Sequence, residues 1–198
     1  VIMGANIGTT VTAFIIGFDI GEYSLPIVAI GSFMLFFFKH KKVTAIGQAV
    51  FGFGALFLGL ELMSNGMKPL RYLDTFHQLT IDMSTSPVLG VVIGTVFTLI
   101  VQSSSATIGI LQGLFSEGLI ELDAALPVLF GDNLGTTITA VLAALGASVA
   151  AKRAALTHVI FNVIGATIFL IFLGTFTTFV EFLQSYFNLN PEMTLAFA

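Results

Sequence analysis

The chain has 198 residues, of which 56% are hydrophobic and only 9% charged, far below the roughly 25% charge of a soluble domain. That balance excludes a globule covered by water and fits lipid as the solvent, and a net charge of −4 argues against nucleic acid as a partner. The absence of cysteine excludes a disulfide, a thiolate metal site and a cysteine nucleophile.

Apolar runs cover 1–18, 25–38, 43–63, 86–101, 105–116, 124–146 and 155–174. A spanning helix needs about 20 mostly apolar residues. Several runs are shorter than that and carry Gly, Ser, Thr or Asn at their centres, the pattern of broken helices in transporters. No secretory leader is visible. Both ends are apolar, Val1-Ile2-Met3-Gly4 and Leu195-Ala196-Phe197-Ala198, so the sequence is expected to be a piece of a longer protein. Trp is absent, which leaves interfacial anchoring to Tyr23, Tyr72, Tyr186 and the 21 Phe residues.

Basic residues set orientation. Lys39, Lys41 and Lys42 cluster in 39–42, and Lys152 and Arg153 in 147–154, five of the seven basic residues with no acid among them. Both loops are expected in the cytoplasm. Run 43–63 then goes out and 124–146 comes back in. The stretch 86–116 starts and ends outside, as a re-entrant hairpin of two short halves around Gln102-Ser103-Ser104-Ser105. The outer loops hold Asp19, Glu22, Asp74, Asp82, Glu117, Glu121, Asp123 and Glu181, with Lys68 and Arg71 as basic exceptions.

One block occurs twice. Gly4-Ala5-Asn6-Ile7-Gly8-Thr9-Thr10-Val11-Thr12-Ala13 and Gly131-Asp132-Asn133-Leu134-Gly135-Thr136-Thr137-Ile138-Thr139-Ala140 agree at seven of ten positions, at an offset of 127. Duplication accounts for this. With the orientation above, 1–18 runs outward and 124–146 inward, so the copies form an inverted repeat of the kind that meets near the midplane in secondary transporters, whereas two full spans over 86–116 would make them parallel.

Polar groups left unsatisfied in hydrocarbon cost several kcal/mol each. A Gly-x-Asn-x-Gly-Thr-Thr block in an apolar run must therefore face protein, water or a solute. Gly8 and Gly135 are expected to loosen their helices and let backbone approach a ligand. Oxygens there suit a hard cation such as sodium, and free amides at a helix start suit an anion. The hydroxyls of Ser103, Ser104 and Ser105 are donors and acceptors at the hairpin tip, although Ser and Thr in membrane helices often bond only a carbonyl one turn back. No Lys or Arg lies in an apolar run, so a multivalent anion would need helix ends, hydroxyls and co-bound cations to offset its charge. Asp132 is an intramembrane acid and a functional candidate, with a protonated, hydrogen-bonded structural acid as the alternative. His158 and Asn162, four apart on one helix face, either pack or lie on a solute pathway. His40, His77 and Glu61 are read as structural.

Three elements together resemble the type II sodium/phosphate cotransporter family: Gln102-Ser103-Ser104-Ser105-Ala106-Thr107, the two Gly-x-Asn-x-Gly-Thr-Thr blocks, and Ala155-Leu156-Thr157-His158-x-x-Phe161-Asn162 after a short basic loop. The resemblance implies an all-α integral membrane protein with an inverted-repeat transporter core, a re-entrant helical hairpin and partly unwound helices. Residues 1–63 would be part of the first repeat plus a connecting helix, 64–85 an extracellular or periplasmic connection, and 86–198 the second repeat, truncated at its C-terminus. A first-repeat Gln-Ser-Ser-Ser hairpin would precede Val1, and a further His-x-x-Phe-Asn helix would follow Ala198. The implied substrate residues are Gln102, Ser103, Ser104, Ser105, Asn133, Thr136 and Thr137, with Asn6, Thr9 and Thr10 from the first repeat. Asp132, Thr107 and Asn162 are expected to bear on the cation.

The implied activity is symport of inorganic phosphate with sodium by alternating access, in a multi-pass protein of the inner or plasma membrane, from a bacterial member without long extracellular loops. Sodium is the co-transported ion, and no cofactor and no enzymatic activity are expected. The same fold carrying another small oxyanion is the near rival. An intramembrane serine hydrolase using one of Ser103–Ser105 with His158 is the remote one, since no Gly-x-Ser-x-Gly elbow is present.

Overall fold

The computed structural model describes residues 2–18 and 20–198; Val1 and Asp19, the latter expected in an outer loop, lie outside the described residues. All regular structure among the described residues is helical. The α-helices in chain order are α1 (Ile2–Ile16), α2 (Ser24–Phe37), α3 (Lys41–Met67), α4 (Asp74–Thr85), α5 (Pro87–Val101), α6 (Ser104–Ser116), α7 (Leu122–Ala144), α8 (Val149–Ile171), α9 (Leu173–Phe187) and α10 (Pro191–Phe197). Three stretches, Lys41–Tyr72, Leu122–Ala144 and Val149–Ile171, are long and apolar enough to cross a membrane, and two bent pairs of shorter helices meet the same test as single spans.

Local chemistry explains the boundaries. Pro87 and Pro191 open α5 and α10, where the missing N–H costs nothing. Ser103, Ser148 and Asn190 cap α6, α8 and α10 by accepting from Ala106 N at 3.3 Å, Ala151 N at 3.3 Å and Met193 N at 2.7 Å. Helices α4 and α9 fall outside the apolar runs because each buries only a stripe. Thr80 and Met83 are the buried residues of α4, and Val180, 1% exposed, is that of α9. Polar residues such as Glu181 and Gln184 interrupt the hydropathy between.

The chain forms two compact units, Phe18–Lys68 and Val1–Gly17 with Pro69–Ala198. The smaller is an antiparallel pair. A Cβ on Gly31 would strike the backbone N of Phe51, and one on Gly54 would lie 2.7 Å from Val28 N, so α2 and α3 touch backbone to backbone.

In the larger unit α7 is the axis. Its residues 124–132 are all buried, against a core that includes Ile108, Leu111, Val180 and Leu195. Helix α5 lies on it through glycines. A Cβ on Gly90 would meet Pro127 Cβ at 2.8 Å, one on Gly94 the Val128 carbonyl, one on Gly131 the Val91 carbonyl and, at 2.8 Å, Thr95 N, and one on Gly135 Thr95 O at 2.6 Å. Residue numbers rise together along the two helices, so α5 and α7 run parallel. Phe130, Phe169 and Phe176 close the side toward α8 and α9, with ring centroids 4.8–6.1 Å apart.

The expected unwinding of the two Gly-x-Asn-x-Gly-Thr-Thr helices is corrected here. Helices α1 and α7 run unbroken through both blocks. In the second copy the glycines serve contact: Gly131 and Gly135 remove Cβ atoms that would otherwise hold α5 off α7. In the first copy nothing lies within 4 Å of a Cβ on Gly4 or Gly8.

These two uses of glycine predict opposite responses. Gly131→Ala should force α5 from α7 at an overpacking cost of about 1–3 kcal/mol and lower the apparent melting temperature of the purified protein by several degrees. Gly8→Ala meets open space and should be neutral or stabilising, since alanine is the better helix former by roughly 1 kcal/mol. Equal melting temperatures for Gly131→Ala and the wild type would contradict the close approach.

Candidate solute site

Helix α7 carries the second motif copy at its middle, with Asn133 the central one of its 23 residues. Neighbouring side chains leave it on different flanks. Asn133 faces α1 and α8, whereas Asp132 faces α5 and α6.

On the first flank is a cavity of about 310 Å³ whose polar lining is Asn6, Thr10, Asn133 and Asn162. The duplicated asparagines thus reach one space. Asn6 Nδ2 donates to Asn162 Oδ1 at 3.2 Å, and Asn162 Nδ2 donates to the His158 carbonyl at 3.0 Å. Asn133 Nδ2 is 3.4 Å from the Leu129 carbonyl, a long bond one turn back, which leaves the amide oxygen for another partner. Phe130, Phe161 and Phe169 supply apolar wall.

On the second flank Asp132, 0% exposed, meets Thr98 and Thr107, at 1% and 2%. Thr98 Oγ1 donates to Asp132 Oδ1 at 2.7 Å and lies 3.1 Å from Thr107 Oγ1. Asp132 Oδ2 is buried with no hydrogen-bond partner. No Lys or Arg lies between 72 and 151, so none on α5, α6 or α7 faces this carboxyl. An ionised carboxylate in such a place is costly without a counter-charge, so the pocket suits a proton or a small cation.

Thr98 and Thr107 belong to different helices. Nine residues along one straight helix span about 13 Å, so their contact requires a sharp turn between them. Gln102 makes it, with φ 55° and ψ 28°, a left-handed conformation uncommon for a residue with a side chain and worth a functional hypothesis. Ser103 follows as the α6 cap, its carbonyl accepting from Thr107 Oγ1 at 3.1 Å. Gln102 and Ser103 are exposed, and Ser104 and Ser105 half-buried.

The remaining candidates bond locally. The hydroxyls of Thr9 and Thr10 donate to the Ala5 and Asn6 carbonyls at 3.3 Å, Thr136 donates to Asp132 O at 2.9 Å, and Thr137 to Leu134 O at 2.7 Å. The structure therefore joins Asn6, Thr10, Asn133 and Asn162 on one flank of α7, and Asp132 and Thr107 with the Gln102–Ser105 turn on the other. It does not gather all of them in one pocket. Nor does it pair serine with histidine: the Ser103 hydroxyl caps α6, while His158 Nε2 is buried without a partner. Sequence reasoning missed Thr98. Its one signal is position, a threonine one turn before the Gln102 turn on the same apolar helix.

The family model described as Na+/Pi-cotransporter matches this chain over residues 1–65 and 62–189. The chain is 36% identical over 180 residues to "Uncharacterized protein YqeW" of Bacillus subtilis (strain 168), covering 91% of this chain and 58% of that protein. It is 29% identical over 172 residues to "Putative inorganic phosphate export protein YjbB" of Escherichia coli (strain K12), covering 87% of this chain and 32% of that protein. Over 61 residues, 31% of this chain and 10% of the relative, it is 41% identical to "Sodium-dependent phosphate transport protein 2A" of Rattus norvegicus. The chain thus spans 58% of the one bacterial relative and 32% of the other. No solved structure matches it. On the strength of the family model and the duplicated motif it covers, the chain belongs to the Na+/Pi-cotransporter family.

Proposed function

We propose that the protein carries inorganic phosphate across the cell membrane with sodium, by alternating access around a site at the middle of α7. The observation that carries this reading is the cavity on which Asn6 and Asn133, one from each motif copy, converge with Asn162. Amide and hydroxyl donors without a fixed cation suit an oxyanion whose charge is offset by a co-bound ion. The buried Asp132–Thr98–Thr107 cluster, one residue along α7 from Asn133, is the place for sodium. Oxygen ligands suit so hard a cation, and Asp132 supplies the negative charge.

The inverted repeat has geometric support. A second cavity, lined by Ile2 of α1, Ala140, Ala143 and Ala144 of α7 and Ala151, Ala154, Ala155 and His158 of α8, lies along the same helices as the asparagine cavity. From one to the other the lining numbers rise along α1 and α8 and fall along α7, so α1 and α7 run oppositely. The re-entrant hairpin has support from length. Helices α5 and α6, with 15 and 13 residues, reach about 22 and 20 Å, short of a hydrocarbon core about 30 Å thick. A carrier of this kind is reversible. The Escherichia coli relative is named for export and the rat relative for sodium-dependent transport, and the gradients decide direction. Another small oxyanion is the alternative cargo, because neutral donors do not by themselves select phosphate.

Uptake by the full-length protein in liposomes, with and without a sodium gradient, tests the reading directly. Each hydrogen bond to a charged group is worth about 1.5–3 kcal/mol. Asn133→Ala and Asn6→Ala should therefore raise the half-saturating phosphate concentration roughly ten- to hundredfold with surface expression intact. Affinity indifferent to both would place the anion elsewhere. Asp132→Asn and Thr98→Val should weaken the sodium dependence of uptake more than they lower the amount of folded protein, and sodium titration curves matching the wild type would remove this cluster from the mechanism. For topology, single cysteines in 39–42 and 147–154 should be labelled from the cytoplasmic face and one in 117–123 from the other. Labelling of the two basic loops from opposite faces would contradict the arrangement.

A further inference from the structure

The second cavity has no role in the reading above. It holds about 300 Å³ and lies where α7 ends and α8 begins, lined by Ala140, Ala143, Ala144, Ala151, Ala154 and His158, with Ile2 of α1. By volume it could take about ten waters, at roughly 30 Å³ each, enough for a hydrated small ion. His158 lines it, and the Nε2 of that ring is buried without a hydrogen-bond partner, an orphan that calls for a ligand or water.

Three further observations tie this space to the asparagine cavity. The same three helices line both, in continuous register. Ala140 and Ala144 of α7 give way to Leu129 and Asn133, Ala151 and His158 of α8 to Phe161 and Phe169, and Ile2 of α1 to Asn6 and Thr10. His158 and Asn162 are joined, since the His158 carbonyl accepts from Asn162 Nδ2, and Asn162 in turn accepts from Asn6. The charge at the open end is positive: Lys152 and Arg153 are exposed on α8 between lining residues Ala151 and Ala154, and no acid occurs from 133 to 180. Among the described residues α1 carries no charged side chain either.

We infer that the alanine-lined cavity is the vestibule through which the anion passes between the 145–148 loop and the asparagine cavity, and that His158 Nε2–H is its contact on the way. This rests on the proposed transport of an oxyanion. The alanines give it physical sense. Larger side chains on α7 and α8 would fill the space, while methyl groups leave room for a hydrated ion without offering it a competing partner. Lys152 and Arg153 raise the local anion concentration at the mouth, and a single neutral donor inside holds the anion weakly enough to let it go.

The test uses the full-length protein in liposomes, with any other cysteines replaced. Ala154→Cys lines the vestibule. Val149→Cys, exposed at the same end of α8 but outside the lining, is the control. Each is treated with the anionic thiol reagent 2-sulfonatoethyl methanethiosulfonate, and phosphate flux is compared with the same variant's unmodified rate. Modification of Ala154→Cys should abolish most of its flux, and saturating phosphate should slow the modification severalfold, whereas Val149→Cys should show neither effect. His158→Ala should raise half-saturating phosphate about tenfold, the loss of one bond to a charged group, and His158→Gln, which keeps an N–H donor, should recover part of it. Ala154→Cys that is modified without loss of flux, or at a rate blind to phosphate, overturns the vestibule while leaving phosphate transport standing. A wild-type protein that moves no phosphate overturns the transport reading, and the vestibule with it.

Discussion

The close approach of α5 to α7 is the contact on which the rest of the larger unit depends. Four glycines, Gly90, Gly94, Gly131 and Gly135, bring backbone against backbone over three turns. In lipid there is little hydrophobic force between helices, so association relies on packing and on shared polar groups. The glycine seam provides the first and permits the second. With α5 this near, Thr98 can reach Asp132 at 2.7 Å, and the turn at Gln102 then sets Thr107 beside both. A side chain at Gly131 or Gly135 would move α5 outward and take the Thr98 hydroxyl away from a buried carboxyl.

The same seam explains how α7 serves two flanks. One side of the helix is committed to α5, where only glycine, Asp132 and small residues fit. The other is freed for Asn133 and the space shared with α1 and α8. Consecutive residues therefore serve different chemistries, a carboxyl in a closed polar cluster and an amide in an open cavity. A cation at Asp132 and an anion at Asn133 would be separated by little more than the width of one helix, within the distance over which opposite charges favour each other in a medium of low dielectric.

Much of this was legible in the sequence. Seven apolar runs correspond to α1, α2, α3, α5, α6, α7 and α8, displaced by a few residues at most boundaries, because hydropathy is the dominant signal in lipid. The duplicated block marked Asn6 and Asn133, which the structure brings to one cavity. Helices α4 and α9 were not visible, since an amphipathic helix burying one stripe dilutes its apolar signal with Thr, Gln and Glu. The glycines were misread for a physical reason. Glycine in a helix can either loosen the backbone or admit a neighbour, and the choice depends on what packs alongside, which one sequence does not state. Thr98 went unremarked because a lone threonine in an apolar helix ordinarily bonds its own backbone, as Thr95 does with Val91 O at 2.7 Å.

Those two threonines differ in what their hydroxyls satisfy. Thr95 donates to a carbonyl of its own helix and lies 3.1 Å from the Gly131 carbonyl, so its hydroxyl is satisfied by backbone that would be present in any pair of packed helices. Thr98, one turn on, spends its proton on a side chain that has a further oxygen unsatisfied. A bond to backbone closes the polar account of a membrane helix, whereas a bond to a half-satisfied carboxyl leaves it open. Asp132 Oδ2 and His158 Nε2 are two such openings, on opposite flanks of α7, and both are side-chain atoms that lipid cannot satisfy. The asparagine cavity lies between them, with Asn133 next to the first in sequence and Asn162 bonded to the backbone of the second. Polar atoms whose hydrogen bonds the fold leaves unmade are costly in an apolar protein, so Asp132 Oδ2 and His158 Nε2 are two places here where the packing alone does not account for the residue.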